Sequence, residues 1–133
     1  MGIIGIGVDI VIPSRVLRLY TMFGPRFLSR AFHPTEASRV LQLQPHQVCG
    51  YLSSRWAAKE ALHKALGKKR LLFPDIEVFR KDEKGPPFFR LHNEAARYQR
   101  EEGLELLLTL SHEEGMSVAF VVASSTMNQQ VPS

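Results

Sequence analysis

A carboxylate and an ammonium lie one helical turn apart in the segment Arg55-Trp56-Ala57-Ala58-Lys59-Glu60-Ala61-Leu62-His63-Lys64-Ala65-Leu66-Gly67. At about 100° per residue, Trp56, Glu60, His63, Lys64 and Gly67 fall on one side of such a helix, with Tyr51, Ala58, Ala61, Leu62 and Ala65 on the other. The small-residue side can lie close to a neighbour and hold Glu60 and Lys64 in place. Alone, a Glu-to-Lys pair at this spacing is an ordinary surface contact worth about 0.2–0.5 kcal/mol. Chemistry needs further groups, and Asp9 on a glycine-flanked strand and His112 at a strand end could supply them. Two carboxylates from different elements make a poor zinc cage but a good Mg²⁺ site, because that ion keeps waters and completes its octahedron with substrate phosphates. Lys64 would then steady the same phosphate. The glycines beside Asp9 let a ligand or another backbone come close.

Positioning these groups takes a mixed order of elements. Residues 3–11 alternate, with Ile4, Ile6, Val8 and Ile10 on one face and Gly5, Gly7 and Asp9 on the other, which predicts a strand with one nearly bare face. Pro13 opens a helix through Met22 that ends at Gly24-Pro25, and a short helical piece over 26–32 follows. Pro34 or Thr35 starts a further helix towards Leu43, and Pro45 begins the long helix of the opening motif. Beyond Gly67 the period shortens. Residues 75–80 and 88–91 alternate about the loop Lys81-Asp82-Glu83-Lys84-Gly85, and residues 106–111 and 117–123 form a second hairpin about Glu113-Glu114-Gly115. Between the hairpins, Asn93 to Glu102 is helical and Gly103 stops it. The pattern predicts a single α+β domain over residues 1–123 with an antiparallel sheet and a long motif helix, followed by a polar, disordered tail at 124–133.

With 133 residues, 44% of them hydrophobic and 23% charged, the chain can bury a real core. A lone Cys49 permits no intrachain disulfide and suits a reducing compartment, taken as cytoplasmic, with an organellar one open if a leader precedes this sequence. No apolar run reaches the roughly 20 residues of a bilayer span. A net charge of +4 points to an anionic partner. Gly5 to Ile10 lacks the third glycine of a dinucleotide fingerprint, and Gly67-Lys68 ends a helix where a phosphate loop would begin one. His33, His46, His63, His92 and His112 never show the i, i+4 spacing of a zinc helix, so no transition-metal site is expected.

Three motifs then occur together: Gly5-Ile6-Gly7-Val8-Asp9-Ile10-Val11, the Arg55 to Gly67 helix, and Leu110-Ser111-His112 before a last strand. In this order and spacing they resemble the holo-acyl-carrier-protein synthases, the small single-domain 4'-phosphopantetheinyl transferases. The likeness extends to Asp75-Ile76-Glu77-Val78 and Lys84-Gly85-Pro86 and covers nearly the whole chain. It implies transfer of the phosphopantetheine arm of coenzyme A to a serine of an acyl carrier protein, with release of adenosine 3',5'-bisphosphate. It also implies Mg²⁺ on Asp9 and Glu60, charge stabilisation by Lys64, and coenzyme A contacts from Arg55, Lys64 and His112. The catalytic residues it implies are Glu60 and Lys64, with the serine proton taken either by Glu60 or by a metal-linked water.

Further expectations follow from the resemblance. Family members of this type are usually trimers with the active site between subunits, so a homotrimer is implied. Acyl carrier proteins are small acidic bundles, and Arg15, Arg18, Arg26 and Arg30 could supply the complementary surface and speed association. Trp56 reads as packing and His63 as having no role. The chain departs from many relatives where Lys68-Lys69-Arg70 follows Gly67, in place of a second glycine and a small residue, and where the hairpin has Gly85-Pro86-Pro87 in a stretch that often holds a lysine. The basic run could hold the 3'-phosphate of coenzyme A or simply be solvated. A rival reading makes Lys68, Lys69 and Arg70 with Phe73, Phe88 and Phe89 a nucleic-acid-binding module, although the phenylalanines are more simply core. A catalytically silent scaffold is a second rival, and the intact Asp9, Glu60 and Lys64 oppose it.

Overall fold

Proline opens each of the first four helices, where its missing N–H costs nothing because no partner exists in the first turn. The computed structural model describes residues 2–127. Its elements run β1 (Gly2–Val11), α1 (Pro13–Phe23), α2 (Pro25–Ala31), α3 (Pro34–Val40), α4 (Pro45–Leu66), a 3₁₀ turn Phe73–Asp75, β2 (Ile76–Phe79), β3 (Phe88–Leu91), α5 (Asn93–Glu102), β4 (Leu104–Glu113) and β5 (Met116–Ser125). The α+β class is as expected, but the antiparallel pairing divides into two sheets: β1-β5-β4 and the separate hairpin β2-β3. Strand β5 runs through Ser124 and Ser125, so the expected tail does not begin at 124, and residues 128–133 lie outside the described residues. The last helix stops at Gly103, whose φ of 57° is left-handed.

Strand β1 inverts the usual logic of an amphipathic strand. Its bare face is the buried one: Gly5 and Gly7 lie directly beneath α4, where an added Cβ would stand 1.8 Å from the Ala65 carbonyl oxygen or 1.9 Å from that of Ala61. The opposite face, with Ile4, Ile6, Val8 and Ile10, is exposed. Strand β5 continues that face, since Ile6 pairs with Val122, Val8 with Phe120 and Ile10 with Val118. Leu107 of β4, also exposed, pairs with Val122 from the other side.

The long helix is buried over most of its circumference. Ala57, Ala58, Ala61, Leu62 and Ala65 join the core with Val121 and Ala123 of β5. Trp56 packs against Phe27 and Phe73, as a packing residue should, with ring centroids 5.7 and 5.3 Å away. His63 does not share the outward side with Lys64. It is buried, and its Nε2 lies 2.8 Å from the Leu71 carbonyl oxygen and 3.3 Å from the Leu71 nitrogen, closing the loop after the helix.

A second fixed point is ionic. Lys59 is wholly buried, and its ammonium donates to Glu36 Oε1 at 2.6 Å and to the carbonyls of Ala31 and Phe73 at 3.0 Å each. Glu36 in turn accepts the backbone N–H groups of His33 and Val78. One ion pair thereby ties α2, α3, β2 and the 3₁₀ turn to α4, directly beside Glu60. Burial pulls the Lys59 ammonium below the usual lysine range, and Glu36 opposes that pull.

Two consequences are measurable by chemical denaturation. Gly7→Ala should cost roughly 3 kcal/mol or more, because the new methyl meets backbone and not a yielding side chain; Gly50→Ala, on an open face of the same helix, should instead stabilise by about 0.5–1 kcal/mol. Lys59→Met, which strands a buried carboxylate, should cost about 3–5 kcal/mol, whereas Lys64→Met at an exposed ion pair should cost under about 1 kcal/mol. Equal losses for the two lysine variants would contradict the assignment of Lys59 as the structural one.

Candidate active site

The close approach of β1 to α4 sets the position of Asp9. Beyond Gly7 the strand runs alongside the helix, so the Lys64 ammonium reaches both the Val8 carbonyl oxygen and Asp9 Oδ1 at 3.0 Å. Asp9 is half-buried and Lys64 is 55% exposed. A tethered ammonium that still faces solvent can meet an incoming anion without first paying the entropy of being ordered. Its partner is Asp9 and not Glu60, so the simple helical Glu-to-Lys pair is not what forms. Among the described residues Glu60, half-buried on α4, makes no ion pair.

Arg55, further towards the N-terminus of α4, is largely sequestered. Its guanidinium lies 4.0 Å from the Tyr51 ring centroid, Nη1 donates to Ser54 Oγ at 2.9 Å, and Nε is buried without a partner. Burial pulls this guanidinium below its ordinary value, and Tyr51 is the largest opposing influence. His112 stands at the end of β4, its Nδ1 3.0 Å from Ser117 Oγ across the hairpin. The fold brings Arg55 and His112 to one cleft of about 460 Å³, together with His46, Ser54 and Ser117. On its other side Arg55 lines a cleft of about 450 Å³ with Arg39 and Arg80. Two adjoining hollows thus share one half-buried cation. The cleft with His112 offers Arg55 and two imidazoles to an anion, whereas Glu36, Glu77, Asp82 and Glu83 also line the other; a carboxylate and an ammonium stand further along the same helix.

Arg15, Arg18, Arg26 and Arg30 are all exposed on α1 and α2. Arg26 and Arg30 border an apolar hollow of about 340 Å³ lined by Leu19, Phe23, Phe27, Trp56 and Phe73. The basic run after Gly67 is exposed, with Lys69 over the Tyr98 ring at 4.8 Å and Arg70 Nη1 3.5 Å from His63 Nδ1. The aromatics of the nucleic-acid reading are already engaged, Phe73 with Trp56 and Phe88 with Phe79.

The groups that sequence reasoning missed are Lys59 and Glu36. A lysine flanked by alanine within a motif helix was a signal, because it falls outside the polar side formed by Glu60 and Lys64. Arg39 and Arg80 carried no such mark. Nor did His33, Glu77 and His92, which come from three separate elements and gather within 4.8 Å of one another.

The sequence profile of the 4'-phosphopantetheinyl transferase superfamily matches residues 5–121. A curated holo-[acyl-carrier-protein] synthase of Halothermothrix orenii is 41% identical over 121 residues, covering 89% of this chain and 94% of that protein. Among solved structures, a holo-[acyl-carrier-protein] synthase of Neisseria meningitidis superposes with a TM-score of 0.83 at 35% identity, covering 93% of this chain and all of the other. A Bacillus anthracis enzyme of the same name, in complex with CoA (3',5'-ADP), superposes with a TM-score of 0.75 at 29% identity over 93% of this chain and 98% of its own.

Proposed function

The chain belongs to the 4'-phosphopantetheinyl transferase superfamily, and on that premise we propose that Asp9, Glu60 and Lys64 form the centre at which a phosphopantetheine arm changes hands. The enzyme transfers 4'-phosphopantetheine from coenzyme A to a serine of apo acyl carrier protein and releases adenosine 3',5'-bisphosphate. A bond forms between the serine oxygen and the phosphorus carrying the pantetheine arm. The bond from that phosphorus to the bridging oxygen breaks, and its electron pair leaves with the nucleotide.

The observation that carries this reading is the tether of Lys64 to Val8 and Asp9, at 3.0 Å on each side, one turn from Glu60, which makes no ion pair among the described residues. Lys64 stabilises charge on the transferring and leaving phosphates. Glu60 is the carboxylate available to take the serine proton. Arg55 and His112, in their shared cleft, hold the nucleotide phosphates. The donor set fits Mg²⁺: Asp9 and Glu60 offer hard carboxylate oxygens, and among the described residues only Oδ1 of Asp9 has a partner. Held by Asp9 and Glu60, such an ion would supply Lewis-acid charge withdrawal from the diphosphate. The free Cys49 fits a cytoplasmic enzyme.

The acidic carrier protein docks on α1 and α2 through Arg15, Arg18, Arg26 and Arg30. Support comes from their exposure and from the apolar hollow beside Arg26 and Arg30, which offers an anchor next to the charge. The outer sheet face is the surface of self-association. Ile6 is 61% exposed and Leu107 is 70% exposed, in one row with Val122, and a monomer rarely leaves so continuous an apolar face to water. A homotrimer, as the family resemblance implies, would cover it.

Mass spectrometry of an apo carrier protein incubated with enzyme, coenzyme A and Mg²⁺ should reveal a phosphopantetheine adduct that disappears on chelation. Asp9→Ala and Glu60→Ala should each slow transfer by at least about a hundredfold; undiminished transfer by both would sink the metal assignment. Sedimentation equilibrium should give about three times the 15.1 kDa chain mass, falling towards the single-chain mass in Ile6→Lys. A wild-type protein that stays monomeric at micromolar concentration would refute the trimer.

A further inference from the structure

Two histidines distant in sequence meet in this fold. His33 caps α3 and His92 stands before α5, and their rings stack with centroids 4.1 Å apart and planes inclined by 19°. Against them lies Glu77 of β2, which is buried, with its Oε1 2.9 Å from His92 Nε2. We infer that His33, Glu77 and His92 form a second cation site, for a borderline divalent ion such as Zn²⁺ or Co²⁺, separate from the Asp9 and Glu60 centre and independent of the catalytic reading.

Four observations support it. One ligand atom from each residue lies within 4.8 Å of the others. Around a tetrahedral zinc with bonds of about 2.0–2.1 Å, ligand atoms stand roughly 3.3 Å apart, so closure needs a movement of order 1 Å. Half-buried His33 and His92 can supply that by rotating their rings out of near-parallel stacking. Second, the donors are two imidazoles and one carboxylate, a set that selects zinc-like ions over Mg²⁺. Third, the carboxylate is already oriented: Thr35 Oγ donates to Glu77 Oε2 at 2.6 Å and lies 2.9 Å from His33 Nδ1, as outer-shell groups orient metal ligands. Fourth, the arginine that pairs with the carboxylate does so at long range. Arg90 Nη1 is 3.8 Å from Glu77 Oε1, and its guanidinium rests over the Phe79 ring at 3.9 Å. An ion here would clamp the start of α3, strand β2 and the β3–α5 junction together. Glu77 also lines the cleft that Arg55 borders, so the clamp would stiffen one wall of it.

The test is Co²⁺ titration of metal-free protein followed by visible d–d absorption, with Zn²⁺-dependent thermal unfolding as a second readout. An Asp9→Asn/Glu60→Gln variant, which removes the other carboxylate pair, should bind one Co²⁺ per chain without a thiolate charge-transfer band, and Zn²⁺ should raise its unfolding midpoint. Adding His92→Gln, or His33→Ser, whose hydroxyl can replace the capping ring nitrogen, should weaken Co²⁺ binding at least tenfold while circular dichroism remains unchanged. Absence of binding, binding that survives both histidine changes, or a sulfur band from Cys49 would each overturn the assignment. Transfer activity of the wild type is a separate measurement, so failure here leaves the catalytic reading untouched.

Discussion

Everything in this structure that bears on function depends on how closely the backbone of β1 approaches α4. There is no room for a single methyl group at Gly5 or Gly7, because the helix carbonyls of Ala65 and Ala61 occupy the space a Cβ would need. That contact brings Asp9 alongside Lys64. It also decides which side of the strand faces inward. Since the glycine side must be the inner one, period-two alternation forces the isoleucines outward, and the exposed apolar face has the same cause as the placement of Asp9.

A strand glued to a helix still leaves that helix free to roll or slide. The buried Lys59–Glu36 pair removes this freedom by bonding across α4 to four other elements. Such a pair is a weak source of net stability, since two charges leave water to form it. What it provides is discrimination: any rotation of α4 that misplaced Glu60 would also strand a desolvated ammonium. Lys59 and Lys64 illustrate how one residue type does different work according to exposure, the first fixing the scaffold from within and the second bridging to Asp9 while still facing solvent.

The long helix, both hairpins and the glycine that ends α5 were legible because each rests on local rules of period and turn chemistry. The expected site residues Asp9, Glu60, Lys64, Arg55 and His112 carried unusual neighbours, such as glycines around a carboxylate or alanines around charge. The inversion of β1 was not legible, since hydrophobic alternation states that two faces differ and not which one is buried. His63 misled for a related reason. Its helical angle places it near Lys64, but the loop after Gly67 folds back and covers it. The His33–His92 stack and the split into two sheets arise from tertiary encounters between distant segments, and single-sequence spacing holds no trace of them.

The antiparallel register of β1 with β5 has a consequence for synthesis in the cell. A ribosome makes Asp9 long before Ala119, its cross-strand partner, and a strand with a glycine inner face and an isoleucine outer face has little to hold it in place alone. During translation β1 must therefore wait, unpaired, until the β4–β5 hairpin emerges, a topology that slows folding and exposes the chain to aggregation. The Asp9 carboxylate is thus translated well before the strand that fixes its place.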